Sequence, residues 1–124
     1  MRDIKITLSK DTTNHSETIE QEAEWMRSNP PLYYRLHIRP KEPDGVCWLY
    51  FIFDGCLRAR SRATVTNKLP KRLFSYTGAF MPAKGWHAVC RKMEIAKKKV
   101  PHEGFRGFRY VTDKDVALFE SAFK

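Results

Sequence analysis

VCWLYFIFDGCLRARSRATVT, residues 46–66, decides how this chain is read. Val46 to Phe53 is apolar or aromatic throughout apart from the small Cys47. Asp54-Gly55 follows, and then a strict alternation of Leu57, Ala59, Ser61, Ala63 and Val65 with Arg58, Arg60, Arg62 and Thr64. Asp-Gly between two such runs signals a hairpin, because both central residues of a type I′ turn need positive φ. A two-residue turn pairs Phe53 with Cys56, Phe51 with Arg58, Leu49 with Arg60 and Cys47 with Arg62. It leaves Trp48, Tyr50 and Ile52 on the other face with Leu57, Ala59 and Ser61. The first strand is apolar on both faces and belongs in the centre of a sheet; the second shows arginines on one side. Alternate residues lie roughly 7 Å apart on one face, so the three arginines form a cationic row. Such a row is equally the solvent face of an amphipathic strand.

Charge is concentrated around this hairpin. The 124-residue chain carries +9 overall, but residues 31–110 hold seventeen basic and five acidic groups, a net of +12. Residues 1–30 carry −2 and residues 111–124 carry −1. Positive charge gathered in one region attracts polyanions, with a salt-sensitive affinity. At 42% apolar and 13% aromatic residues the chain is expected to fold as one domain over residues 1–124. No apolar run reaches the ~18 residues of a membrane span, and the N-terminus lacks a signal-like apolar core. Three cysteines, Cys47, Cys56 and Cys90, cannot all pair within the chain, which points to a reduced, cytoplasmic setting.

Outward from the hairpin, residues 3–9 alternate with Ile4, Ile6 and Leu8 on one face, a short strand. Asn14 and Glu17 form a capping pattern for a helix to about Arg27, with Ile19, Ala23 and Met26 on its apolar stripe. Ser28-Asn29-Pro30-Pro31 ends it. Leu32 to Arg39 alternates again, placing Tyr33, Arg35, His37 and Arg39 opposite Leu32, Tyr34, Leu36 and Ile38. With the turn at Pro43-Asp44-Gly45, this gives three consecutive strands in an antiparallel meander. Residues 67–85 have no period and interleave Lys68, Lys71, Arg72 and Lys84 with Phe74, Tyr76 and Phe80, a mixture suited to phosphates and unstacked bases. Trp86 to Met93 reads as a further strand. Gly104-Phe105-Arg106-Gly107-Phe108-Arg109-Tyr110 makes a turn into the last one. Thr112 and Asp115 cap a C-terminal helix near 113–122 that docks through Val116, Phe119 and Phe123.

No catalytic or metal-binding pattern is present. His15, His37, His87 and His102 share no ligand spacing with the cysteines, no Cys-x-x-Cys exists, and Asp54, Glu94 and Glu103 are isolated carboxylates. No cofactor is expected.

Taken together, YFIFDGCLRAR (50–60), the Gly85-Trp86 entry and GFRGFRY (104–110) resemble the PUA-like superfamily of PUA, ASCH, EVE and YTH domains, over residues 32–111. The resemblance implies an α+β fold, a small mostly antiparallel β-barrel-like sheet with flanking helices. It also implies a nucleic-acid-binding module, in some members one that reads a modified base in an aromatic pocket. ASCH-type members include hydrolases that use a Lys, a Thr and a Glu; no such trio falls on matching positions, so no catalytic residue is assigned.

The function expected from these features is binding of nucleic acid, RNA favoured, with no membrane partner. Arg58, Arg60 and Arg62, with Arg35 and Arg39, are expected to contact the backbone, together with Lys71, Arg72, Arg106 and Arg109. Tyr76, Trp86 or the Phe105–Tyr110 segment is expected to offer a ring to an unstacked base. Trp48 is assigned to the core and Trp86 to a pocket wall. If Arg58 and Arg60 are buried against acidic partners, the nucleic-acid reading is expected to fail and an acidic protein partner to take its place. A basic module docking on an acidic protein accounts for the same charge pattern, and a small nucleoside hydrolase is a third reading.

Overall fold

The computed structural model describes residues 2–8, 15–28, 31–36, 38–41, 45–70, 73–74, 80–81 and 84–124. In chain order the elements are β1 (Ile4–Thr7), α1 (His15–Ser28), β2 (Leu32–Leu36), β3 (Val46–Phe53), β4 (Cys56–Thr66), β5 (Leu73–Phe74), β6 (Phe80–Met81), β7 (Trp86–Pro101), β8 (Phe108–Tyr110) and α2 (Asp113–Ala122). Six strands form one curled half-barrel sheet in the order β2-β7-β4-β3-β1-β8, and β5 pairs with β6 as a separate ribbon.

The central hairpin turns where expected. Asp54 and Gly55 both take positive φ, 50° and 73°, the left-handed pair that a type I′ turn demands. β3 lies between β4 and β1, and Leu49, Phe51 and Ile52 are fully buried. The register departs from a regular ladder. Phe53 faces Cys56 and Ile52 faces Leu57, but Phe51 then faces Ala59, Tyr50 faces Arg60, Leu49 faces Ser61 and Trp48 faces Arg62. One extra residue, Arg58, is accommodated on β4 as a bulge, and every later pairing is displaced by one. Because side chains alternate, Arg60 and Arg62 share a face with Tyr50 and Trp48 instead of lying opposite Leu49 and Cys47.

The expected meander does not form. β2 pairs antiparallel with β7, Leu32 to Cys90 through Leu36 to Trp86, and has no pairing with β3. A strand buried on both faces needs a neighbour on both edges, and β1 takes the place that the meander gave to β2. It runs parallel to β3, Ile4 beside Leu49 and Ile6 beside Phe51, so the sheet is mixed rather than antiparallel throughout. β2 also stops at Leu36, which leaves Ile38 and Arg39 outside the strand. The proposed cap at Asn14 and the turn residues Pro43 and Asp44 lie outside the described residues.

α1 covers one face of the sheet. Ile19, Ala23 and Met26, on the expected stripe, join Cys47, Leu49, Phe51, Ala59, Ala63, Ala88 and Cys90 in the larger core cluster. Tyr34 Oη donates to Glu22 Oε2 at 2.8 Å, tying helix to sheet. α2 covers part of the other face, where Phe119, Ala122 and Phe123 meet Tyr50, Ile52, Leu57 and Val100. Its capping box is formed as expected by Thr112 and Asp115. Val116, expected to dock, is instead exposed, since Phe119 and Phe123 already fill the contact.

β7 runs to Pro101, eight residues past the expected strand end at Met93, and its pairing with β4 is interrupted twice. Arg91 and Lys92 occupy the space opposite Arg62 alone, between the Ala63–Cys90 and Ser61–Met93 pairs. Ala96 to Lys99 occupy the space opposite Arg58 alone, between Ala59–Ile95 and Leu57–Val100. Both excursions are rich in lysine and arginine, because looped-out residues remain in water while the paired ones are buried.

Beneath α2, Lys5 is only 6% exposed. Its ammonium donates to Asp115 Oδ2 at 2.6 Å and to His102 Nε2 at 2.9 Å, while His102 Nδ1 donates to the Glu103 carbonyl at 2.7 Å. A buried amine is tolerable when two acceptors replace its water. Burial alone would push the Asp115 carboxyl up, but the Lys5 ammonium and the Thr112 backbone and hydroxyl together hold it below its ordinary 3.8.

Two outcomes follow from this packing. Ile52→Ala is expected to cost ~2–5 kcal/mol in chemical denaturation through lost transfer energy and a cavity, and a loss below about 1 kcal/mol would contradict the central position of β3. For Asp115 the folded carboxyl lies below its unfolded value, so its contribution is complete above 3.8 and is lost as pH falls through the folded value. Asp115→Asn should therefore lower stability at neutral pH and flatten the acid limb of the stability–pH curve; parallel curves for the two proteins would exclude this coupling.

Candidate nucleic-acid interface

Register fixes which side chains meet on the face opposite α1. Tyr33, Val89, Thr64 and Val46 form one cross-strand row, and Arg35, His87 and Thr66 form the next. Trp48 and Arg62 begin a third row, completed by the Arg91-Lys92 bulge. The fourth row, Tyr50, Arg60 and Glu94, lies against α2. α2 therefore covers one half of this face, and Arg60 stands at the boundary; in the other half Arg62 and Thr64 are exposed and His87 is buried.

Arg60 is held from four sides. Its Nε donates to Glu94 Oε2 at 2.9 Å and its Nη1 lies 3.5 Å from Glu120 Oε1, joining β4 to β7 and α2. Its guanidinium carbon sits 4.1 Å from the centre of the Trp48 ring and 4.3 Å from that of Phe123. Only 13% of the side chain is exposed. Arg60 was expected to contact a nucleic-acid backbone; the structure gives it the task of fastening α2 to the sheet.

Arg62, two residues on, has the opposite character. It is exposed, its guanidinium carbon lies 4.8 Å from the Trp48 ring centre, and no carboxylate among the described residues pairs with it. Trp48 is half-buried, not a core residue as its strand position suggested. With Arg62 it walls a groove of about 540 Å³ completed by Arg27 of α1 and by Lys92, Met93, Glu94 and Ile95 of β7. β2 pairs with β7 only as far as Cys90, so the edge of β7 beyond that point is open to the groove. A second hollow of about 230 Å³, lined by Tyr33, Thr64, Thr66, Lys68, Pro70, Val89 and Arg91, lies further along the same face of β4. Arg35 is exposed on that face, in line with Tyr33.

Among the described residues, the other expected ones do not join this surface. Arg39 lies beyond β2 and stacks over Trp86 at 5.7 Å; Trp86 is half-buried against the α1-side core, not a wall of either hollow described above. Arg106, Arg109 and Tyr110 lie in and before β8, three strands from β4, about 14 Å along the sheet. Arg109 rests on Phe105 at 4.8 Å. Tyr110 has Arg2 at 4.8 Å and Lys41 at 6.0 Å from its ring, and its hydroxyl accepts the Lys41 amide at 2.8 Å. Arg58 is half-buried at the β4 bulge. Lys71, Arg72 and Tyr76 lie outside the described residues.

Sequence reasoning passed over Trp48, Arg27, Arg91, Lys92 and Glu94. Arg91 and Lys92 show in the sequence as a break in the alternation after Cys90; nothing local marks the other three.

The two buried thiols, Cys47 and Cys90, offer no alternative chemistry. Burial pushes Cys47 up to about 11 and Cys90 up to about 12, so neither supplies a thiolate near neutral pH. Among the described residues no three histidine, cysteine or acidic side chains gather as a metal set, and no helix is long and apolar enough to cross a membrane.

Arg60 and Arg62 should separate cleanly by mutation. Arg60→Ala strands two carboxylates and a tryptophan ring and is expected to cost ~1–3 kcal/mol of stability, whereas Arg62→Ala should stay within about 0.5 kcal/mol. Thermal or urea denaturation of the two variants provides the comparison, and equal losses would contradict the division drawn between them.

No protein-family model matches the chain, and neither a curated protein nor a solved structure matches it at a significant level.

Proposed function

We propose that the protein binds single-stranded nucleic acid, RNA in preference, along the exposed arginines beside α2, centred on the groove at Trp48. The observation that carries this reading is the exposed Arg62 over Trp48, at a groove whose rim also holds Arg27 and Lys92. A strand of RNA needs cations for its phosphates and ring faces for its unstacked bases. Arg62, Lys92, Arg91, Lys68 and Arg35 supply the first from neighbouring rows, and Trp48 and Tyr33 supply the second.

Arg60 does not meet the requirement that its charge be available, so the reading no longer rests on it. Nor does it rest on the far edge: Arg109 lies in the cross-strand row of Lys5, Tyr50 and Arg60, which α2 covers. The resemblance of residues 32–111 to PUA-like modules points to the same class of ligand.

Short labelled RNA and DNA strands titrated at several salt concentrations test the reading. Arg62→Ala with Lys92→Ala should weaken binding across sequences and reduce the magnitude of the salt slope by about 1.4 for single strands. Trp48→Ala should lower affinity by ~1–3 kcal/mol per stacked base with the slope unchanged. A polyglutamate peptide of matched charge is the control: if it competes as well as RNA does, an acidic protein is the partner. Absence of strand binding at low salt would overturn the nucleic-acid reading.

A further inference from the structure

The groove beside Trp48 contains one group that phosphate binding does not need. Glu94 lines it, with 40% of its side chain exposed. One oxygen, Oε2, accepts from Arg60 Nε at 2.9 Å; the other has no donor among the described residues. A carboxylate in a cationic groove would ordinarily repel an incoming polyanion. Here Arg60, shared with Glu120, holds one oxygen from behind, and the Arg62 and Lys92 cations at the groove offset the charge of the carboxylate while its other oxygen stays a hydrogen-bond acceptor. Trp48, Met93 and Ile95 surround it with apolar surface, and Arg62 and Lys92 stand at the rim.

From this arrangement we propose that the groove holds one unstacked nucleobase bearing an exocyclic amino group, and that Glu94 selects it. The inference rests on the nucleic-acid reading above and adds the class of base. Adenine, cytosine and guanine each present an amino N–H to a carboxylate oxygen, the pairing by which acidic side chains recognise cytosine N4. Uracil offers a single N–H flanked by two carbonyl oxygens, whose lone pairs oppose the carboxylate. The volume of about 540 Å³ falls within the size range of small-molecule sites and admits a base with its sugar. When Arg62 swings from the Trp48 ring to a phosphate, the ring it covered supplies the stacking contact, so discrimination falls to Glu94.

Glu94→Gln gives a directional test. In that variant the amide oxygen is drawn to Arg60, and the amide N–H₂ faces the groove. The acceptor becomes a donor, which favours the carbonyl oxygens of uracil. The probes are uridine heptamers with a central U, A, C or G. The unaltered protein should bind the three amino-bearing strands roughly tenfold more tightly than the all-uridine strand. Glu94→Gln, checked for folding by its thermal transition, should remove or reverse that order while retaining binding of the all-uridine strand. Equal affinities for all four strands in the unaltered protein would overturn the selection by Glu94 and leave nucleic-acid binding standing. So would an unchanged preference in folded Glu94→Gln. Should the variant prove unfolded, Lys92→Trp at an exposed position of the groove is the second probe, and it must abolish the preference through occlusion if the groove is the base site. No binding of any strand would overturn both the inference and the reading beneath it.

Discussion

The single extra residue at Arg58 sets the orientation of everything beyond it on β4. Without the bulge, strict pairing from the Asp54-Gly55 turn places Arg60 opposite Leu49 and Arg62 opposite Cys47, both of which are buried in the α1-side core. A bare guanidinium in that core would carry a desolvation penalty of several kcal/mol. The bulge turns the later residues over by one step, so that alanines and Ser61 face α1 and the arginines face Trp48 and Tyr50. The small core-facing residues of β4 then leave room for Ile19, Ala23 and Met26. Helix packing and surface chemistry both depend on that one displaced register.

How much of this is legible in the sequence varies by element. The turn is legible because only a few residues accept positive φ, and Asp54-Gly55 is such a pair. The buried stripe of α1 and the capping box of α2 are legible because both are local, set by spacing within a few residues. The partner of β2 is not local. An alternating strand fits equally against any edge that buries its apolar side, and the choice of β7 follows from β1 occupying the far edge of β3. The bulges are hidden for a related reason: the alternation of LRARSRATV continues unbroken through Arg58, so the pattern carries no mark of where the ladder slips. That slip moved Trp48 from the expected core to a groove wall and joined Arg60 to Glu94 and Glu120.

Arg60 and Lys5 illustrate two ways of placing a cation beneath α2. Lys5 is a compact ammonium met by Asp115 and His102. Arg60 is a flat guanidinium between the rings of Trp48 and Phe123, with its edge toward Glu94 and Glu120. The planar group stacks as well as bonds, which an ammonium cannot do. Both cations fasten the helix to the sheet, one toward each end of α2, since Asp115 stands in its first turn and Glu120 near its last.

The position of β1 has a consequence for how the molecule assembles. Ile4 to Ile6 pair on one side with Leu49 to Phe51 and on the other with Phe108 to Tyr110. Contacts between residues so far apart in the chain form late, because the intervening loop must close before the pairing repays its entropy. β1 can acquire its second neighbour only when β8, far along the chain, docks beside it. Until then β1 has β3 alone as its partner, and the docking of β8 closes the sheet.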